Sequence, residues 1–191
     1  MKNSNTKNLI FILCLILGFN LAFFRSSSAS GQQQLPAPGK VEVRSVEPFV
    51  YCALSREGSF SEIESLIGEL MQHMQNQMVF PTGAMIGIYY GDPGLTEADK
   101  MRWEIGFPIN EQAQVLAPLE KKQWTFSQVA VSVHQGPYDT IGQTILQIQE
   151  WLEENGYSQA GPILERYLDP DPSQMSSGSL KTEIWIPCVK R

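Results

Sequence analysis

Glu104-Ile105-Gly106-Phe107-Pro108-Ile109 and Glu183-Ile184-Trp185-Ile186-Pro187-Cys188 are two versions of one phrase, and the residues before them match as well. At a nearly constant offset Tyr89 answers Tyr167, Gly83 answers Gly161, and Ile63 and Ile67 answer Ile141 and Ile145. Gly58-Ser59-Phe60 likewise answers Gly136-Pro137-Tyr138. The chain is therefore a duplication. A unit of roughly 60 residues buries too little apolar surface to be comfortable alone, so two copies are expected to share one core with a cleft at their pseudo-two-fold seam.

Each unit reads as strand, helix, strand, strand. In the first, a strand over Val46 to Leu54 turns at Glu57-Gly58. Ser59 and Glu62 then form a capping-box signature, and Ile63, Leu66, Ile67, Leu70, Met71 and Met74 recur at helical spacing. Strands follow over Ala84 to Tyr90 and Met101 to Ile109. After a linker at Asn110 to Gln123, the second unit repeats the order. It has a strand over Thr125 to His134, a helix carrying Ile141, Ile145, Ile148 and Leu152 and stopping at Asn155-Gly156, and strands over Ile163 to Leu168 and Leu180 to Val189. The expected fold is α+β: duplicated strand-helix-strand-strand modules forming a curved, mainly antiparallel sheet, both helices on one side and an open face on the other. Module one covers 41–109, the linker 110–123 and module two 124–191.

Ahead of the repeats, Lys2 and Lys7 precede an apolar run from Leu9 to Phe24, followed by Arg25 and the small residues Ser26 to Ser30. This is the layout of an export signal over residues 1–29, cleaved after Ala29, or of an N-terminal membrane anchor through residues 9–24. Residues 30–40, with the run Gln32 to Gly39, read as a flexible tether. The expectation is a periplasmic or secreted domain with no membrane contact beyond that segment. The full chain carries a net charge of −6 from 14 Lys and Arg against 20 Asp and Glu. Residues 1–29 hold Lys2, Lys7 and Arg25 and no acid, so without them 11 bases face 20 acids, a charge of −9. That sign disfavours nucleic acid as a partner and suits a cationic or neutral ligand.

Strand alternation nominates a site. With Ile184 and Ile186 turned to the helices, Glu183, Trp185 and Pro187 take the open face, and by the same logic so do Glu104, Gly106 and Pro108. The preceding strands add Glu165 and Tyr167, with Gly87 and Tyr89 at the matching positions. Tyr89, Glu104, Glu165, Tyr167, Glu183 and Trp185 would then combine flat apolar surfaces with negative charge, which suits planar lipophilic cations. The glycines at 87 and 106 read as space cleared for a ligand. The bland reading is an exposed sheet face with polar residues and occasional aromatics. Trp103 reads as a core or rim residue, His73 as a solvated helix residue and His134 as a packing or turn residue at a strand end. Two isolated histidines make no metal site, and no cofactor motif is present. Whether Cys52 and Cys188 pair is left open by the sequence.

Gly136-Pro137-Tyr138, Gly161-Pro162 with Tyr167, Asp169-Pro170 and Glu183-Ile184-Trp185-Ile186-Pro187 together resemble the GyrI-like small-molecule-binding domain, related to effector-binding domains of AraC-type and MerR-type multidrug regulators. The resemblance implies two fused modules with an aromatic-lined ligand groove containing a buried or half-buried glutamate. Some members of the family hydrolyse cyclopropanoids with a groove glutamate and aromatic residues, which here nominates Glu183 with Tyr167. Capture of an aromatic or lipophilic cation, hydrolysis of a strained electrophile, and a protein–protein interaction module stay open as three classes of function.

Overall fold

The computed structural model describes residues 35–91, 100–169 and 172–191. In chain order the strands are β1 (Glu42–Ser45), β2 (Phe49–Glu57), β3 (Met85–Tyr90), β4 (Arg102–Pro108), β5 (Glu120–Trp124), β6 (Gln128–Gln135), β7 (Tyr157–Gln159), β8 (Ile163–Tyr167) and β9 (Lys181–Lys190). The helices are α1 (Ile63–Asn76) and α2 (Ile141–Glu154), each entered through a one-turn 3-10 helix, Phe60–Glu62 and Tyr138–Thr140. Ser59 accepts a hydrogen bond from the Ser61 amide at the first entry, and the chain leaves α2 through Gly156 at φ 76°, a left-handed stop that glycine adopts without strain.

The sheet runs β1-β6-β9-β8-β3-β4-β2-β5 through antiparallel pairs, with β7 added on β9. Its pseudo-two-fold axis passes between β8 and β3, where Gly87 and Glu165 lie opposite each other. Outward from that axis, β3, β4, β2 and β5 are answered by β8, β9, β6 and β1. The two edge strands are exchanged. β1 leads into module one yet pairs with β6 of module two, and β5 leads into module two yet pairs with β2 of module one. The duplication extends into these edges: at the separation of 78 residues that relates Tyr89 to Tyr167, Glu42 and Arg44 answer Glu120 and Lys122. The expected linker at 110–123 thus contains a strand.

Both faces of the sheet are apolar. On one, Leu66, Leu70 and Met74 of α1 and Ile145, Ile148 and Leu152 of α2 pack with Cys52, Leu54, Trp103, Ile105, Ile184 and Ile186. The other face was expected to be open. Instead the sheet curls so far that Phe49 of β2 and Trp124 of β5 reach Trp185 of β9, with ring centroids 6.4 and 6.5 Å apart. This concave face encloses a second core of Tyr51, Ala53, Ile86, Ile88, Val129, Val131 and Leu164. Three-residue connections, 46–48 and 125–127, join strands at opposite ends of the sheet order, and the closure is what lets them be so short. Cys52 and Cys188 are both buried, free thiols.

Candidate functional site

Residues directly opposite in a ladder share a face, so register decides which candidates can act together. Glu165 pairs with Gly87 and Ile184, Tyr167 with Met85 and Thr182, and Tyr89 with Trp103 and Ile163. Tyr89, Glu165 and Tyr167 therefore sit on the helix face. Glu104, opposite Ile88, and Glu183 and Trp185, opposite Arg166 and Leu164, sit on the concave face. The six candidates do not form one cluster, and Glu183 with Tyr167 cannot form a catalytic pair across the sheet. Alternation misassigned β3 and β8 because it assumed a single apolar face. With a core on each side, Ile163-Leu164 and Ile86-Gly87-Ile88 do not reveal which side faces the helices.

On the helix face, α1 packs chiefly on β2 and β4 and α2 on β6, β7 and β9, leaving the central pair β3 and β8 as the floor of a trough. At its centre the Tyr89 and Tyr167 hydroxyls are 2.8 Å apart, and Tyr167 Oη lies 2.8 Å from Glu165 Oε2. Tyr167 has one proton and donates it to the carboxylate, so Tyr89 donates to Tyr167. Burial, then the charge of Glu165, holds both phenols well above their ordinary range, so they stay donors. A Cβ at position 87 would come 2.8 Å from Tyr89 Oη and 2.9 Å from Tyr167 Oη. The space at Gly87 is thus taken by the two hydroxyls. At Gly106 a Cβ would meet the Cys52 carbonyl oxygen at 2.3 Å, so that glycine serves strand packing.

Glu165 is 6% exposed, and among the described residues no Lys or Arg pairs with it. Burial pushes its carboxyl up to about 7, with the hydrogen bond from Tyr167 and the nearby Tyr89 hydroxyl pulling the other way. Phe60 meets Tyr89 edge-on at 5.5 Å and Tyr138 meets Tyr167 edge-on at 5.6 Å, a symmetric pair of half-exposed rings flanking the carboxyl. Alternation did not find Phe60 and Tyr138 because they precede the helices; their correspondence in the repeat was the available signal.

On the concave face each buried acid already has its cation, supplied by the exchanged edge of the other module. Lys122 lies 2.8 Å from Glu104, which also accepts from Tyr51 at 3.1 Å. Arg44 lies 3.3 Å from Glu183, which pairs closely with Arg166 as well. Arg166 also stands 5.0 Å over the Trp185 ring. These partners leave little for a ligand to neutralise. His134 bonds Thr144 at 2.9 Å and approaches the Pro137 carbonyl and the Thr140 hydroxyl at 3.2 Å, which ties β6 to the start of α2. No group of three or more His, Cys, Asp or Glu that could hold a metal occurs among the described residues.

Several proteins share this sequence or fold. YosT, a prophage-derived protein of Bacillus subtilis (strain 168) named for a suspected role in transcriptional regulation, is 28% identical over 110 residues, 57% of this chain and 70% of its own. The C-terminal domain of EcmrR matches with a TM-score of 0.71 at 18% identity, over 80% of this chain and 98% of that one; in EcmrR bound to DNA the match covers 58% of that chain. A hydrolase encoded by lin2189 from Listeria innocua matches at 0.58 and 12% identity, over 80% and 93% of the two chains. SAV2435 bound to tetraphenylphosphonium matches at 0.52 and 15% identity, over 78% and 94%. At such identities the likeness is one of fold.

These comparisons correct the expectation of a signal peptide and of a periplasmic or secreted location, because the matching EcmrR is solved in complex with DNA. The stretch on which that expectation rested, residues 1–29, lies outside the described residues. Among the described residues no helix is long and apolar enough to cross a membrane. Nor do the comparisons support excluding nucleic acid on net charge alone. The model of the GyrI-like small molecule binding domain matches residues 39–189, nearly the whole described chain. The chain belongs to the GyrI-like family of small-molecule-binding domains.

Proposed function

We propose that the trough over β3 and β8 captures a lipophilic, aromatic cation, with Glu165 as its counter-ion. The observation that carries this reading is a buried carboxyl that accepts from Tyr167, itself backed by Tyr89, and pairs with no Lys or Arg among the described residues. Such a group is costly to ionise alone, and a cation arriving beside it relieves that cost. Phe60 and Tyr138 supply ring surfaces at the flanks, where stacking and cation–π contact each contribute on the order of 0.5–2 kcal/mol. SAV2435, of the same fold, was solved with tetraphenylphosphonium, a cation of this class.

The test is titration of tetraphenylphosphonium into the protein between pH 5.5 and 8.5. Because Glu165 must be ionised to pair with the cation, affinity should rise with pH up to about 7 and level off above it. Glu165→Gln should weaken binding about 10- to 100-fold at pH 8 and flatten the profile. Equal wild-type affinity at both ends of the range would refute the reading. A second reading, hydrolysis of a strained electrophile, draws support from the same carboxyl: a group titrating at about 7 can take and return a proton at neutral pH. Turnover of a cyclopropane-bearing electrophile that Glu165→Gln abolishes, without tetraphenylphosphonium binding, would put hydrolysis first.

A further inference from the structure

The repeat lets each helix-facing position of module two be read against its twin in module one. Ser132 stands where module one has Leu54, Thr144 where it has Leu66, His134 where it has Arg56, and Glu165 where it has Gly87. Thr182 stands where it has Trp103. In the α1 half these positions include Leu54, Leu66 and Trp103, which are core residues; in the α2 half the same places carry hydroxyls on smaller side chains. Trp103 is satisfied by donating from Nε1 to the Gly58 carbonyl at 3.0 Å. Thr144 is engaged by His134. Ser132 and Thr182 are different: both are fully buried, and neither hydroxyl has a hydrogen-bond partner.

Their register ties them to the trough. Thr182 lies opposite Tyr167 on one side and His134 on the other, so it shares a face with the phenol that donates to Glu165. Ser132 lies opposite Ile184, which lies opposite Glu165. With strands about 5 Å apart, the two hydroxyls stand roughly 5–10 Å across the sheet from the Glu165 strand. A buried hydroxyl without a partner costs stability, and two of them in a row lead away from a carboxyl that no Lys or Arg pairs with among the described residues.

Resting on the cation reading, we infer that Ser132 and Thr182 are a specificity subsite running from Glu165 beneath α2, and that the preferred ligand is a lipophilic cation bearing a hydrogen-bonding group such as a carbonyl or amide roughly 5–10 Å from its charge. The apolar twins in module one make the subsite one-sided, so the ligand lies across the pseudo-two-fold axis with its polar end toward module two.

The test compares two probes, benzyltriphenylphosphonium and its para-carboxamide. The wild type should bind the carboxamide about 5- to 30-fold more tightly than the plain cation. In Ser132→Ala/Thr182→Val that preference should vanish, while the plain cation keeps its affinity within about 2-fold. Binding that depends on Glu165 but shows no preference, or a preference that survives the double variant, overturns the subsite and leaves cation capture standing. Absence of binding by either probe sinks both. Without ligand, Thr182→Val should melt at the wild-type temperature or above it; a marked drop would reveal an internal partner for the hydroxyl and overturn the inference.

Discussion

Glu165 and Glu183 stand on neighbouring strands, both nearly inaccessible to water, and they point to opposite faces of the same sheet. Glu183 is held between Arg44 and Arg166; Glu165 is held only by a tyrosine pair. The contrast teaches that burial of an acid does not by itself mark a site. A carboxylate whose countercharge is built in is part of the fold, whereas one left to phenols is held near its protonation threshold and is the one the proposed cation capture uses.

The comparison breaks most visibly at Glu183. Glu183→Ala removes the buried anion shared by Arg44 and Arg166, leaving Arg44 with Glu42 and Arg166 without its partner, and should cost about 3–5 kcal/mol in urea denaturation at pH 7. A cost near zero would mean that the guanidiniums escape to solvent and that the concave face is not a closed core.

Glu165→Gln should act in the opposite direction. The folded carboxyl titrates at about 7 against an ordinary 4.5, so the native state holds its proton where the unfolded state has lost it. The stability this lends is fully present below about 4.5 and is lost as pH rises through 7, where the wild type pays up to about 3 kcal/mol to ionise the group. The variant should therefore match the wild type at pH 4.5 and be the more stable protein at pH 8, by urea denaturation at both. Parallel pH profiles for the two proteins would show that Glu165 ionises freely.

The smallest change, Gly87→Ala, sharpens the contrast at the axis itself. One methyl group would press on both tyrosine hydroxyls, so the chain from Tyr89 through Tyr167 to Glu165 should part at a cost of about 1–2 kcal/mol. Tetraphenylphosphonium binding should weaken with it. Unaltered stability and binding would mean that the hydroxyls relocate without consequence.

Much of the fold is legible in the residues. The apolar stripe from Ile63 to Met74 and the turn signals at Gly58, Gly136 and Asn155-Gly156 place both helices and six of the strands, because periodicity and glycine conformation are local properties. β1 and β5 escape such reading. Glu42-Val-Arg-Ser45 and Glu120-Lys-Lys-Gln-Trp124 are short and mostly charged, and their stability comes from partners distant in sequence. The matched spacing of Glu42 and Arg44 with Glu120 and Lys122 was nevertheless on view. At the site, Tyr89, Glu165 and Tyr167 can be named from sequence, but their separation from Glu104, Glu183 and Trp185 cannot. It depends on closure of the sheet, which no single strand records.

The exchanged edges make the repeat in sequence and the unit of folding two different things. A cut between β4 and β5 gives a first half whose β1 has no strand to join and whose Glu104 has lost Lys122. The second half keeps β5 without β2 and Glu183 without Arg44. Each half carries the border strand and the countercharge that the other requires, in the manner of a domain-swapped dimer written on one chain. Split there, the protein should behave as a fragment-complementation pair, each piece unfinished alone and whole only when its counterpart returns the borrowed strand.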